Sequence, residues 1–245
     1  MNHIRAGAFV GAPFGRFLAH LMRHSELDPK EQQALLSLSG QTAQVPAGAD
    51  IVRSNTTIAH AHLVAQGIVE CFDEAKNGRR TATALFVPGD LCGLQSVESP
   101  RVSWGLSAVT QCRVVHIPHD DLRQLAGIYP GIRRAFWKEM AIEAAIRSRW
   151  IGNTILKSSL SRTAHLLCEL ALRMEHAGLS TVQAFALKTT QGQLAGAVGL
   201  TGVHMNRVLR DLRERGLIST DARTITIRNW SGLCDVAEFY PSYLD

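Results

Sequence analysis

The stretch that most constrains the fold of this chain is residues 190–218, because its capping and turn residues have the spacing of two helices joined at a sharp corner. Thr190 and Gln193 have the spacing of a capping box, which begins a helix. Gly199 supplies the left-handed residue that a sharp corner needs. Thr201 then caps a second helix. These signals together predict a helix-turn-helix.

The second helix, Thr201–Arg215, is stopped by Gly216 and has two different faces. The apolar face, which should pack against the first helix, carries Met205, Val208, Leu209 and Leu212. The side chains expected to read DNA bases from the other face are Val203, Asn206, Arg207 and Arg210. In the major groove Arg pairs bidentately with guanine and Asn with adenine. The alternative is an ordinary helical hairpin with a solvated basic face.

Phosphate contacts are expected at the start of each helix, where free backbone amides and hydroxyl side chains can hold an anion. The residues expected to make them are Thr190, Gln191, Thr201 and His204.

The order of these residues resembles the C-terminal motif of the CRP/FNR transcription regulators. The motif reads Thr190-Gln-x-x-Leu194-Ala195, then Gly199-Leu200-Thr201-x-x-x-x-Asn206-Arg207-x-Leu209-x-x-Leu212-x-x-x-Gly216-Leu217-Ile218. The resemblance implies a homodimer that reads a palindromic site, with two recognition helices in successive major grooves roughly 34 Å apart. It also implies RNA polymerase as a partner and an N-terminal domain that senses a signal. Arg207 matches the arginine that most members use on guanine.

Val203 stands where many members of the family have Glu, which accepts a hydrogen bond from cytosine. Because valine can only contact a thymine methyl, the DNA site should differ from the usual family half-site at this position.

Charge is distributed unevenly along a chain whose net charge is +5. Residues 1–120 carry ten basic and ten acidic side chains. Residues 188–228 carry seven basic side chains against three acidic ones; the basic ones are Lys188, Arg207, Arg210, Arg213, Arg215, Arg223 and Arg228. A basic C-terminal module on a neutral N-terminal one suits DNA binding.

The cysteines favour a cytoplasmic protein with reduced thiols, because they are odd in number and far apart. They are Cys71, Cys92, Cys112, Cys168 and Cys234. No window approaches the ~18 apolar residues of a membrane span, so no membrane partner is expected. The N-terminus is broken by Gly, Pro and Arg and makes a poor signal peptide.

No resident metal is expected from the sequence. No cysteine precedes Cys71, so the N-terminal cysteine cluster that holds iron and sulphur in the oxygen-sensing FNR members is absent. His60 and His62 share one strand face, but two ligands do not make a zinc site. Haem would need an axial ligand, and His116 and His119 are also interpreted as surface or core residues.

Short alternating segments between residues 42 and 118 predict an antiparallel barrel or sandwich, and Asn77-Gly78 marks a hairpin. The predicted strands are 43–45, 50–53, 61–65, 68–72, 81–86, 103–109 and 113–117. These strands alone do not select one architecture. With the helix-turn-helix downstream, they are interpreted as a β-roll of the cyclic-nucleotide-binding type, a jelly-roll-like double-stranded β-helix.

A long helix opens at Pro130 and is expected to pair with its copy in a second subunit. The predicted seam is Ile132, Phe136, Met140, Ala144 and Ile151. The alternative is that this seam packs on the helix's own β domain. Ser158–Ser161 is the candidate hinge, with Ser161 as the cap of the next helix.

The fold class is therefore α+β in three parts. Residues 1–129 form a sensor β-roll with flanking helices, residues 130–158 a dimerisation helix, and residues 159–245 a winged helix-turn-helix. Strands at 217–219 and 224–227 form a two-stranded wing, and a helix over 230–239 closes it.

The resemblance also implies where an effector would bind. Cyclic-nucleotide-binding members hold the phosphate with a Gly-Glu-Leu turn and a downstream Arg-Ser or Arg-Thr pair, and here Asp replaces the Glu and Val102 interrupts the pair. Counted back from Cys112, Val102 stands in the register of the family's Arg. The expected pocket residues are Gly89, Asp90, Leu91, Arg101, Ser103, Arg147 and Ser148. A cyclic nucleotide is one candidate effector, and a pocket that binds nothing or something else is equally open.

Three functions remain open, and the first two are not enzymatic. The first is a dimeric transcription regulator controlled by a signal at the β-roll. The second is a constitutive regulator whose pocket is degenerate. The third is an enzyme or regulatory nucleotide-binding subunit that does not bind DNA; against it, the chain has no Gly-rich phosphate loop, metal spacing or nucleophile elbow.

Overall fold

The computed structural model describes residues 13–188, 190–222 and 224–245. The described residues form two compact units, the first made of residues 13–69, 86–143 and 245, and the second of residues 70–85 and 144–244. The hairpin over 70–85 thus groups with the C-terminal part of the chain, which the sequence did not indicate. None of the helices in the described ranges is long and apolar enough to cross a membrane.

The helices are α1 (Pro13–Leu21), α2 (Pro29–Leu36), α3 (His119–Ile128), α4 (Pro130–Leu156), α5 (Ser159–His176), α6 (Gln191–Ala197), α7 (Gly202–Glu214) and α8 (Trp230–Ala237). The strands are β1 (Gln41–Val45), β2 (Asp50–Val52), β3 (Thr56–Thr57), β4 (His60–Gln66), β5 (Val69–Glu74), β6 (Arg80–Phe86), β7 (Leu91–Cys92), β8 (Arg101–Val102), β9 (Gly105–Ala108), β10 (Cys112–Pro118), β11 (Ala186–Lys188), β12 (Ile218–Asp221) and β13 (Thr224–Ile227). Short 3₁₀ helices cover Leu94–Val97 and Pro241–Leu244.

The first unit is built on antiparallel strand pairs, as predicted. One sheet has the order β1-β10-β4-β7, and β2 pairs with β9 and β3 with β8. Because side chains alternate along a strand, one face of β4 and β10 enters the core. The core residues on that face are Ala61, Leu63, Ala65, Val115 and Ile117.

Helices cover this core with apolar side chains from three directions. The residues that they contribute include Phe17, Leu18 and Leu21 from α1, Leu35 from α2, Leu122 from α3, and Ile132, Ala135 and Phe136 from α4. The predicted dimer seam is therefore wrong in its first half: Ile132 and Phe136 are buried in the core of their own unit, and Met140 packs against it. For these residues the alternative interpretation holds.

One carboxylate fastens α2 to the start of α4. Asp28 and Glu31 form the capping box of α2, in which Asp28 N–H donates to Glu31 Oε2 at 3.0 Å. The other oxygen, Oε1, accepts from the backbone N–H of Gly131 at 2.6 Å. A side chain at position 131 would collide with this carboxylate, so the close approach requires glycine.

The second unit contains the β5–β6 hairpin, α5–α8 and the last part of α4. Gly78 has φ +77° in the hairpin turn, as the Asn-Gly signal predicts. Ser158, not Ser161, caps α5: the Ser158 Oγ accepts from the Ser161 N–H at 3.2 Å. The predicted cap, Ser161, lies one turn beyond the observed cap, because both Ser158 and Ser161 precede a helical pattern.

The wing has one strand more than predicted. β12 and β13 pair antiparallel, with Ile218 opposite Ile227, and β11 adds to the other edge of β13. Three residues of β11 are too few for a periodic signal, so the sequence did not indicate this strand.

Candidate DNA interface and effector region

The caps and the corner of the helix-turn-helix have the geometry that their residues predict. The Thr190 Oγ1 accepts from the Gln193 N–H at 3.2 Å, while the Gln193 Oε1 accepts from the Thr190 N–H at 2.8 Å. Gly199 has φ +65° at the corner. The Thr201 Oγ1 accepts from the His204 N–H at 3.3 Å at the start of α7.

Helix α7 separates its apolar and polar residues as predicted. Its buried residues are Met205, Val208, Leu209 and Leu212. The four expected base-reading residues, Val203, Asn206, Arg207 and Arg210, are all exposed, and Val203 is exposed to 68%. The polar face therefore presents two arginines, one asparagine and one apolar side chain to solvent, which is the chemistry of major-groove recognition.

The charged side chains of α7 divide by their partners. Arg215 forms an ion pair with Asp211 at 2.7 Å, and Arg210 lies 3.9 Å from Glu214. Within the described part of the chain, no side chain pairs with Arg207. Arg207 can therefore contact DNA without first breaking an ion pair.

The expected phosphate contacts lie at the beginnings of α6 and α7. Thr190, Thr201 and His204 are exposed. The side chain of Gln191 lies outside the described residues, as do that of Lys188 and the whole of Arg223.

Two arginines of the basic C-terminal module, Arg213 of α7 and Arg228 next to β13, are bound to hydroxyl groups of the wing strand β12. The exposed Arg228 side chain donates from Nε to the Ser219 Oγ at 2.8 Å, and Arg213 donates to the Thr220 Oγ1 at 3.0 Å. Both arginines are thus held against the wing strands rather than on the base-reading face of α7.

The expected effector turn is closely packed within the first unit. Gly89 has φ +106°, and a Cβ there would touch Arg16 of α1. Asp90 is buried: its Oδ2 accepts from the Val87 N–H at 2.7 Å, and its Oδ1 lies 3.8 Å from the His20 Nδ1. Leu91 is also buried. One oxygen of the Asp90 carboxylate is thus bound to the backbone of its own turn, and the other is directed toward α1.

The phosphate pair of the family has no counterpart in this geometry. Val102, in the register of the family's Arg, is buried and pairs with Thr56, whereas Arg101 and Ser103 are exposed. An apolar side chain at that position cannot neutralise a phosphate.

Arg147 and Ser148, which were also expected in the effector pocket, belong to the second unit. Arg147 donates to the Thr83 Oγ1 at 3.1 Å and lies 3.6 Å from the Cys71 Sγ, so it binds the β5–β6 hairpin, and Ser148 is exposed. An open groove of about 690 Å³ lies elsewhere, between α2 and α3, and contains none of the expected effector residues.

The histidines of β4 and β10 form a cluster on adjacent strands. The Nδ1 atoms of His62 and His116 are 2.8 Å apart, and the rings of His60 and His116 lie 6.3 Å apart. His119 is hydrogen-bonded to the Ser96 Oγ at 2.9 Å. Burial, with the neighbouring His116, lowers the pKa of His62 to about 3, so this side chain is neutral at physiological pH.

We expect His62 to make the protein acid-sensitive. In the unfolded chain its pKa is 6.5, so its contribution to stability is complete above pH 6.5 and is lost as the pH falls toward 3. At pH 5 the loss is about 2 kcal/mol. Urea unfolding of the wild type and of His62→Asn at pH 7 and pH 5 measures this difference, and the exposed His60→Asn is the control. Equal pH dependence in all three proteins would contradict the prediction.

A winged helix-turn-helix that follows an antiparallel domain and a long helix defines a DNA-binding transcription regulator. The Crp-like helix-turn-helix domain family matches residues 161–236, and the cyclic nucleotide-binding domain family matches residues 42–129. The chain belongs to the CRP/FNR family of transcription regulators.

Individual relatives agree with this assignment. The chain is 23% identical over 211 residues to the transcriptional activator protein FnrA of Stutzerimonas stutzeri, with 86% of each chain covered. It is 28% identical over 198 residues to the nitrogen fixation regulation protein FixK of Azorhizobium caulinodans, covering 79% of this chain and 78% of that protein. The fold is similar to that of FixK2 from Bradyrhizobium japonicum, with a TM-score of 0.72 at 23% identity over 81% of this chain and 98% of that one.

Proposed function

We propose that this regulator acts as a homodimer that reads a palindromic DNA site through α7, and that a signal received at the N-terminal unit controls its activity. The observation that carries the proposal is the exposed base-reading face of α7, set against four buried apolar residues on the opposite side of the same helix. RNA polymerase is the further partner that a regulator of this family requires.

Dimer formation is supported by a stripe of exposed residues along α4. Its members are Trp137, Ala141, Ala144, Ser148, Ile151 and Ile155, which alternate at spacings of four and three and are all exposed. That spacing is the one at which two helices form a coiled coil. The stripe retains Ala144 and Ile151 from the predicted seam and replaces the residues that the core buries.

The second candidate is a constitutive regulator, and one observation favours it. The position of the family's phosphate-binding Arg holds the buried Val102, so the phosphate of a cyclic nucleotide lacks its usual arginine, and the Asp90 carboxylate already accepts from the Val87 N–H. Operator affinity measured with and without cyclic AMP and cyclic GMP tests whether a cyclic nucleotide is the signal: an effect of twofold or more contradicts the constitutive candidate, and a smaller effect from both nucleotides excludes cyclic nucleotides as the signal.

The test of the base-reading role is Arg207→Ala. We expect the loss of a bidentate guanine contact to cost about 1–3 kcal/mol on the specific site, or roughly 5- to 150-fold in affinity. The specific site is first selected from random DNA with the wild-type protein, and affinities are then measured on that site and on random DNA at one salt concentration.

The control is Arg215→Ala, because Arg215 is also exposed on α7 but is paired with Asp211. We expect it to weaken binding to both DNAs by a similar, smaller factor. Equal weakening of Arg207→Ala on specific and random DNA would make Arg207 a phosphate contact and would contradict the base-reading role.

A further inference from the structure

Two histidines and a glutamate that the sequence did not bring together meet in the first unit. His20 lies in the last turn of α1, His24 lies in the turn that follows this helix, and Glu139 lies on α4. The rings of Phe17 and Phe136 stack with their centroids 6.3 Å apart in the core between these helices. Because His20 follows Phe17 by three residues and Glu139 follows Phe136 by three residues, this contact brings the polar side chains face to face.

The three side chains direct one atom each to a common point. The Nε2 atoms of His20 and His24 lie 2.8 Å and 3.0 Å from the same oxygen, Oε2 of Glu139. All three ligand atoms lie within 4.8 Å of one another. Ligand atoms around a tetrahedral zinc ion with bonds of 2.0–2.1 Å are about 3.3 Å apart, so the two nitrogen–oxygen distances are close to the spacing that the ion requires.

The remaining ring nitrogens face oxygen atoms, and that of His24 is within hydrogen-bond distance of one. The Nδ1 of His20 lies 3.8 Å from the Asp90 Oδ1, and the Nδ1 of His24 lies 3.0 Å from the Ser25 Oγ. A metal-binding imidazole usually donates its other N–H to a carboxylate or another oxygen, which fixes its tautomer and orientation.

The charge of the cluster calls for a cation. The Glu139 carboxyl group is buried beside the imidazoles of His20 and His24. The His20 side chain is exposed to 25% and that of His24 to 2%, so the cluster is reachable from solvent on the His20 side only. A buried carboxylate needs either a protonated imidazole or a metal ion beside it.

We propose that His20, His24 and Glu139 bind one divalent transition-metal ion per protomer. Two imidazoles and one carboxylate are ligands for zinc or ferrous iron, whereas magnesium and calcium prefer oxygen ligands alone. Three protein ligands leave one coordination position open to water or to an exogenous ligand. The site departs from the sequence-based expectation of no metal and is independent of the proposed function, because it uses no residue of the DNA interface.

The experiment uses the untagged full-length protein, stripped with a chelator and dialysed. Zinc binding is measured by calorimetry and by metal analysis after gel filtration, and ferrous iron is tested in the same way without oxygen. We expect one zinc ion per protomer and a higher melting temperature with zinc than without. His20→Ala, His24→Ala and Glu139→Gln should each weaken zinc binding at least 10-fold. Retention of full affinity in all three variants would overturn the proposal, as would the absence of zinc and iron binding by the wild type.

The matched control is His116→Ala, which removes a histidine of the β4–β10 cluster in the same unit. It should bind zinc like the wild type; loss of binding in this variant alone would place the metal at that other cluster and overturn the proposal. Cobalt provides a readout that does not depend on the variants' folding. The cobalt-loaded wild type should show visible bands of a tetrahedral site without thiolate charge transfer, whereas a thiolate band would place the metal on cysteine.

Discussion

The double substitution Ile151→Glu and Ile155→Glu is expected to convert the regulator into monomers and to weaken binding to its palindromic site by about 100-fold or more. Both isoleucines are exposed in the single chain, Ile151 to 63% and Ile155 to 74%. They lie one turn apart on α4, in the stripe that has coiled-coil spacing. Four carboxylates facing one another in a dimer would be desolvated next to like charges, which opposes association.

The effect on DNA follows from the loss of bivalency. In a dimer, binding of one recognition helix brings the second to its half-site, and this raises the overall affinity by a factor of 10² to 10⁴ over that of one module. A monomer retains its folded helix-turn-helix but lacks this gain. Its affinity for a single half-site should therefore match that of one subunit of the wild type.

Sedimentation equilibrium and DNA binding, each at several protein concentrations, measure the two effects together. The control is Lys138→Glu, which places the same charge on an exposed position of α4 outside the stripe. It should remain dimeric and bind DNA within a few-fold of the wild type. A dimeric double variant with normal affinity would show that the subunits associate through another surface.

The helix-turn-helix could be predicted from sequence because each of its features depends on neighbouring residues. The Thr190–Gln193 capping box, the left-handed Gly199 and the Thr201 cap are all local, and all have the expected geometry. The strands were predicted for the same reason, since alternation and turn residues are visible in a short window. β3, β7 and β8 were missed because two residues carry no period.

The dimer seam shows where periodicity stops being informative. α4 is apolar on more than one side, so a helical period cannot say which side meets the core and which side remains exposed. Ile132 and Phe136 were assigned to the dimer but lie in the core, while Trp137, one residue later, is exposed to 61%. Only the packing of the first half of α4 against the core of the first unit distinguishes the buried side from the exposed side.

The polar clusters depend on contacts between residues far apart in the chain, and sequence patterns do not contain that information. His20 and Glu139 are 119 residues apart and have no common motif. Their spacing to Phe17 and Phe136 was visible, but the stacking of those rings was not. Asp90 was assigned to an effector pocket by resemblance alone, and its hydrogen bond to the Val87 N–H was not visible in the sequence.

Glu169 is the second position where a large effect is expected: Glu169→Ala should lower the free energy of unfolding by about 3–5 kcal/mol. This carboxylate is fully buried on α5. It accepts from the Trp150 indole N–H at 3.1 Å, from the Tyr243 hydroxyl at 2.8 Å and from Arg173 at 3.3 Å. Burial raises its pKa, and the charge of Arg173 opposes that shift.

The size of the effect follows from what the substitution would leave behind. Alanine removes the acceptor but not the donors, so the indole, the phenol and the guanidinium lose a shared partner in a place with little water. Arg173 keeps one bond, to the Leu85 carbonyl at 2.8 Å, whereas no other hydrogen bond is recorded for the Trp150 indole N–H within the described residues. Glu169→Gln retains one acceptor oxygen and should lose less stability than Glu169→Ala.

Urea unfolding at one fixed protein concentration measures these differences, since the stability of a dimer depends on concentration. The control is Glu214→Ala, because Glu214 is 71% exposed and lies 3.9 Å from Arg210. A surface pair of this kind contributes at most about 1 kcal/mol. Unfolding of Glu169→Ala at the same urea concentration as this control would mean that the three donors find other partners. The Glu169 carboxylate would then not be the group that joins α4, α5 and the C-terminal 3₁₀ helix within the second unit.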